Sequence, residues 1–160
     1  MAKRSKQPKV KEVPSTSKQP KIDVDPQGYY QQKPAWRVSR MEFSDHFGWH
    51  VLDADGFSFI WEKLGNFEAM TWGEILLVTK KQNHNVAVDK LVKEAQDRLV
   101  EVNLDDLDEL TSLHLTGRGR VWGIIDRGVM DLLWWDADHR VCVSHKKTLS
   151  GLLFLRSRSG

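Results

Sequence analysis

The chain has one cysteine, Cys142, so no disulfide can close within it, and that usage fits a reducing compartment. No apolar run approaches the ~18 residues that a membrane-spanning helix needs. The basic N-terminus has no apolar segment behind it, so no secretory signal is read there. These absences predict a cytoplasmic protein with no membrane partner. Charge of one sign is also scarce: 24 Lys and Arg against 22 Asp and Glu leave a net charge of +2. That excess is too small to argue for nucleic acid by itself, so the placement of the charges must carry any such case. No catalytic signature of high specificity is present, and no motif supports a thiol enzyme.

What is present divides the 160 residues into three stretches. Residues 1–34 carry Lys3, Arg4, Lys6, Lys9, Lys11, Lys18, Lys21 and Lys33, punctuated by Pro8, Pro14, Pro20 and Pro26. Scattered apolar side chains there cannot offset the entropy of ordering, so a disordered basic tail is predicted. Such a tail is either a solvated segment or an arm that strengthens binding to RNA or DNA. Residues 35–148 read as one domain. Residues 149–160 are a C-terminal extension with an apolar start, from Leu149 to Leu155, that the sequence does not place.

Within the domain, alternation over Trp36 to Phe43 predicts an edge strand, and Gly48 to Leu52 a hairpin arm. Asp53-Ala-Asp-Gly56 reads as a turn. Ser58 would cap a helix from Phe59 to Met70. Thr71 with Glu74 forms a capping box for a shorter helix, Trp72 to Lys80. Val88, Leu91, Val92, Ala95, Leu99 and Val102 make the clearest amphipathic stripe, a helix over Val86–Val102 that Asn85 would cap. Leu104, Leu107 and Leu110 suggest one more short helix.

The period then changes to that of strands. Leu113 and Leu115 alternate with His114, and Gly117 and Gly119 suit a turn with positive φ. Val121 to Ile125 is a strand, Asp126-Arg-Gly128 a hairpin turn, Val129 to Trp135 an apolar strand, and Val141-Cys-Val143 a last short one. The predicted class is α+β: an N-terminal strand, two to four helices, then an antiparallel meander of three or four strands, with the helices on one sheet face. Trp36, Trp61, Trp72 and Trp122 are assigned to the core. Trp134 and Trp135 must point to opposite faces, so one of them meets solvent, a helix or a partner.

The chemistry suggested is that of phosphate. Arg118 and Arg120 bracket a glycine before a strand, as exposed turn charges or as a phosphate clamp. His139 follows Asp136 and Asp138 at a strand end, where Asp138 would orient it. RNA cleavage by transesterification needs a base for the 2′-hydroxyl, cations for the pentavalent phosphate and an acid for the leaving oxygen. His139 suits the acid or base role and Arg120 the cationic one. His145, Lys146 and Lys147 add positive charge, Lys146 and Lys147 as phosphate-binding or RNA-steering residues. An exposed Trp134 or Trp135 would stack on a base. Asp136, Asp138 and His139 stand too close in sequence for a full metal shell, so no metal or other cofactor is assigned. Glu68 and Glu74 read as capping or surface residues, His84 as a weaker site candidate, and Cys142 as buried.

The run Leu115-Thr-Gly-Arg-Gly-Arg-Val121, followed by Val129 to Leu133 and Asp138-His139-Arg140, resembles the turn, strand and strand end of the RelE/ParE toxin superfamily. That resemblance implies a toxin-type, metal-independent ribonuclease or translation inhibitor that acts on RNA or the ribosome and is covered by an antitoxin protein. RNA-cleaving members often carry a C-terminal tyrosine, whereas the tyrosines here are Tyr29 and Tyr30. This favours the alternative, a non-enzymatic interaction module such as a ParE-like gyrase inhibitor or a phage-encoded nucleic-acid-binding protein. The blocks Met70-Thr-Trp-Gly-Glu-Ile75, Arg120-Val-Trp-Gly-Ile124 and Leu132-Leu-Trp-Trp-Asp-Ala-Asp-His139 also resemble a group of uncharacterised actinobacterial and phage-associated proteins.

Overall fold

Hydrophobic patterning dominates the architecture. A computed structural model describes residues 28–44 and 47–143. Its centre is a five-stranded sheet built from β1 (Ala35–Arg37), β2 (His84–Ala87), β3 (Glu109–His114), β4 (Arg120–Asp126) and β5 (Val129–Asp136). The spatial order is β1-β5-β4-β3-β2. β1 runs parallel to β5, and every other pair is antiparallel. The chain is therefore mixed α and β with a C-terminal meander of three strands, β3 to β5, as the change of period predicts.

The expectation of helices on one sheet face is corrected. Helix α1 (Ala54–Phe67) places Ile60 and Leu64 in one core with Trp49, Trp72, Ile75, Val121 and Met130. Helix α2 (Lys93–Glu101) places Ala95 and Leu99 in a second core with Val86, Leu110, Trp122 and Trp134. Val121 and Trp122 are neighbours on β4 and point to opposite faces, so the two cores lie on opposite sides of the sheet. The physical cause is legible in β4 and β5: both are apolar at successive positions, as strands buried on both faces are.

A β-bulge sets the orientation of β5. Trp122 faces Trp134 across the ladder, but the next residue, Gly123, faces Leu132, so Leu133 is the extra residue. The bulge reverses the alternation. Leu133 and Trp134 both join the second core, and Trp135 joins Met130 and Leu132 in the first. The two indoles do part to opposite faces, yet neither meets solvent, because each face is covered. Gly123 permits the bulge: a Cβ there would sit 2.3 Å from the Asp131 carbonyl oxygen.

Several expected elements shift. α1 starts at Ala54, earlier than expected, because Asp53 caps it by accepting the Gly56 N–H at 2.8 Å. Ser58 is thus inside the helix. The Thr71–Glu74 capping box forms, with Thr71 N–H donating to Glu74 Oε2 at 2.7 Å, but it opens only a single π turn, Glu74–Val78. The long helix begins at Lys93 instead of Val86. His84–Ala87 pairs with β3 instead, Val86 opposite Leu110, so that β3 is hydrogen-bonded on both sides. Asn85 is a strand residue whose Oδ1 accepts from Thr111 Oγ1, not a helix cap. The segment from Leu104 to Leu107 forms no helix, and Val141 to Val143 forms no strand; Val141 instead packs in the second core.

At the other end of the chain, the expected strand Trp36–Phe43 is only three residues long. Beyond it the backbone still shields β5: Glu42 N–H donates to the Leu133 carbonyl and Trp135 N–H to that of Phe47. The expected hairpin arm is a 3-10 turn, Trp49–Val51. Gly28–Gln31 forms another such turn, and Tyr29 and Tyr30 pack against the first core, so the folded unit reaches back before residue 35. The assignment of Trp61 to the core is also corrected, since it is 80% exposed. No described helix is long and apolar enough to cross a membrane. Residues 1–27 of the expected tail, His145, Lys146, Lys147 and the 149–160 extension lie outside the described residues.

Candidate functional site

The rim of the sheet where β3 ends, β4 begins and β5 ends gathers the chemistry-bearing side chains. Register alone builds a row across three strands: His114 stands opposite Arg120, and Arg120 opposite Asp136. Arg120 precedes Trp122 by two and so shares the face of the second core. By the same rule His84, two before Val86, belongs to that face at the start of β2. His139 completes the group from the loop after β5.

That loop is held by Asp136. Its Oδ1 accepts the Arg140 N–H at 2.8 Å and its Oδ2 the Val141 N–H at 3.0 Å. The turn places His139 at φ 58°, in the left-handed region that few residues other than glycine occupy. The backbone cost is accepted where the surrounding contacts over-determine it. The orienting carboxylate is therefore Asp136 and not Asp138, which is exposed and makes no hydrogen bond among the described residues.

Burial and neighbouring charge tune the group. Loss of water around His139 pushes its pKa below the usual 6.5, and the positive charge of Arg120 pushes the same way, against Asp136. His84 and His114 are close enough to add to that depression. His84 is itself lowered by burial and by Arg120. Burial also lowers the Arg120 pKa, which Asp136 opposes. The result is an uncharged imidazole beside a guanidinium at neutral pH. His139 Nδ1 is buried and has no hydrogen-bond partner among the described residues, and the same holds for the Trp122 indole N–H on the same sheet face.

Arg120 Nη1 donates to the carbonyls of Gly119 at 3.2 Å and Thr116 at 3.4 Å, long bonds that aim the guanidinium over its own turn. Arg118, by contrast, lies exposed on that turn and makes no bond among the described residues. The two glycines do not adopt the positive φ expected of them. Gly119 makes room for Trp135, whose Cη2 would lie 2.6 Å from a Cβ there.

Trp134 and Trp135 are buried, so neither ring offers a face for base stacking; Trp134 Nε1 donates to Glu42 Oε2 at 2.8 Å. Cys142 Sγ contacts the Lys90 carbonyl, and burial pushes its pKa up, away from thiolate chemistry. Among the described residues no three His, Cys, Asp or Glu side chains converge to hold a metal ion.

The structure thus brings together Arg120 and His139, which the sequence analysis paired, and leaves Arg118 and Asp138 exposed without a bond among the described residues. It adds His114 and promotes His84. The signal for His114 was available, as the one polar residue between two buried leucines on a strand, but its partner across the ladder was not. No family model, curated protein or solved structure matches the chain.

Proposed function

We propose that the chain is a toxin-like, cytoplasmic RNA-binding protein whose sheet-rim site cleaves RNA without a metal. The observation that carries this reading is the placing of Arg120 opposite His114 on one face of the rim, with His84 on the same face and His139 in the loop beyond, near enough for their charges to bear on one another. Arg120 would hold the scissile phosphate and stabilise the charge that builds on it. The uncharged His139 would take the proton of the 2′-hydroxyl, which attacks the adjacent phosphorus. His114, across Arg120 on β3, would return a proton to the departing 5′-oxygen. The products are a 2′,3′-cyclic phosphate and a 5′-hydroxyl end. Arg118 would add charge at the mouth of the site, an antitoxin protein would cover it, and Lys146 and Lys147 would steer RNA.

The RelE/ParE relationship belongs to the same proposal. It rests on the resemblance carried by the run Leu115 to Val121, Val129 to Leu133 and the strand end Asp138-His139-Arg140. Two burial facts favour the second reading, an interaction module without chemistry: the buried pair Trp134 and Trp135 removes the stacking platform, and Tyr29 and Tyr30 are partly buried against the first core.

The test is incubation of the purified chain with a labelled single-stranded RNA in EDTA, beside the same sequence as DNA. Cleavage of RNA alone, with cyclic phosphate ends, is expected. Arg120→Ala and His139→Asn should each lower the rate by at least about a hundredfold, the usual scale for one acid–base or charge-stabilising group. Intact RNA at every pH, or cleavage indifferent to both substitutions, would leave only the binding module.

A further inference from the structure

The opposite face of the sheet carries a second feature. β1 is an edge strand, and among the described residues no strand lies on its outer side. Trp36 and Val38 project from it toward α1. Between them and the helix runs a groove of about 450 Å³ with Leu132 at its floor and Trp61 and Gly65 on its helical wall. Trp61 is 80% exposed and Val38 65%, although every other tryptophan is at least partly buried. Trp61, Gly65 and Glu68 follow at i, i+4 and i+7, so they line one stripe of α1. A Cβ at Gly65 would meet nothing within 4 Å, which leaves the groove open at mid-length.

The charge of this groove is the reverse of that of the whole chain. Glu62 and Glu68 line it, and neither has a cationic partner among the described residues, whereas the net charge is +2. Glu68 is set at the strand edge by the Trp36 indole, which donates to its Oε1 at 2.8 Å. A second copy of the chain would bring the same two carboxylates to the contact, which disfavours self-association here.

We infer that the outer edge of β1 and the groove beside it receive an extended segment of a partner protein, added as a sixth strand, with aliphatic and arginine or lysine side chains alternating inward. The open edge supplies main-chain hydrogen bonds, as in other cases of strand addition. Aliphatic side chains cover Trp61 and Val38 over Gly65, and the cationic ones reach Glu62 and Glu68. The site lies on the face of the first core, away from the Arg120 rim, so occupancy and chemistry are separable.

The probe is a fluorescein-labelled octapeptide, Arg-Ser-Leu-Thr-Leu-Thr-Arg-Ser, followed by anisotropy with the full chain. Saturable binding is expected, with a blue shift of tryptophan emission as Trp61 leaves water. Gly65→Leu fills the groove while favouring the helix, so it should weaken binding more than tenfold with the thermal midpoint unchanged or raised. Trp61→Ala and the Glu62→Gln, Glu68→Gln pair should each weaken it about tenfold. A peptide with proline at both leucines, or glutamate for both arginines, should not bind. No saturable binding to the parent chain overturns the inference, as does binding indifferent to Gly65→Leu. So does a concentration-dependent dimer in sedimentation that Gly65→Leu abolishes.

Discussion

Replacing Gly123 with alanine tests the bulge that orients β5. The added Cβ would lie 2.3 Å from the Asp131 carbonyl oxygen and 2.8 Å from Met130 Cε, where ordinary contact begins at 3.4 Å. The methionine tip can swing aside, but the carbonyl belongs to the paired strand and must retreat by about 1 Å. Overpacking of this kind costs about 1–3 kcal/mol. Against it, removing a glycine from the unfolded chain returns about 0.4–1 kcal/mol. The net expectation is a loss of roughly 1–2 kcal/mol, or a midpoint lower by roughly 3–12 °C for a domain near this size.

The assay is thermal and urea unfolding followed by circular dichroism, with Gly117→Ala as control. A Cβ at Gly117 meets nothing within 4 Å, so that variant should hold or gain a few tenths of a kcal/mol. Because the register of β4 on β5 also sets Arg120 opposite Asp136, Gly123→Ala should lower RNA cleavage more than the fraction unfolded explains. A Gly123→Ala protein as stable as the parent would refute the steric argument and with it the close approach of β4 to β5.

Other expectations follow from single groups. Glu42→Ala removes the acceptor of both Trp134 Nε1 and Arg98 Nε and strands a buried indole donor, so stability should fall by about 2–3 kcal/mol in urea titrations. His139 is held below its unfolded value of 6.5, so it stabilises the fold fully above that pH. As pH falls below 6.5 the unfolded chain takes the proton first and stability declines until the folded imidazole also titrates. A parent midpoint that drops with acid more steeply than that of His139→Asn, a residue that tolerates positive φ, is the expected record; parallel curves would contradict it. Asp136→Ala frees the Arg140 and Val141 N–H groups and should cost about 1–3 kcal/mol while moving His139 out of the site. Inorganic phosphate bound at the rim should raise the pKa values of His84 and His139 and be accompanied by proton uptake in calorimetry at two buffer ionisation enthalpies.

Local chemistry was enough for some of the fold and site. Asp126-Arg-Gly128 demanded a two-residue hairpin, and Arg127 and Gly128 both have positive φ, 49° and 89°. The capping box of Thr71 and Glu74 and the strands around it depend on residues within a few positions of one another, and the pairing of Arg120 with His139 needed only the two ends of one meander. Other outcomes were settled by contacts far along the chain. The apolar stripe from Val88 through Leu91 and Ala95 carried the expected helix back to Val86, but pairing with Leu110 on β3 makes Val86 a strand residue. Trp61 fits an apolar pattern, yet α1 turns Ile60 and Leu64 inward and leaves it outside. The bulge at Leu133 cannot be read from β5 alone, because it exists only relative to β4. His84 and His114 join His139 for the same reason: sequence determines which way a side chain points along its own strand, whereas only the packed sheet determines which strands lie side by side.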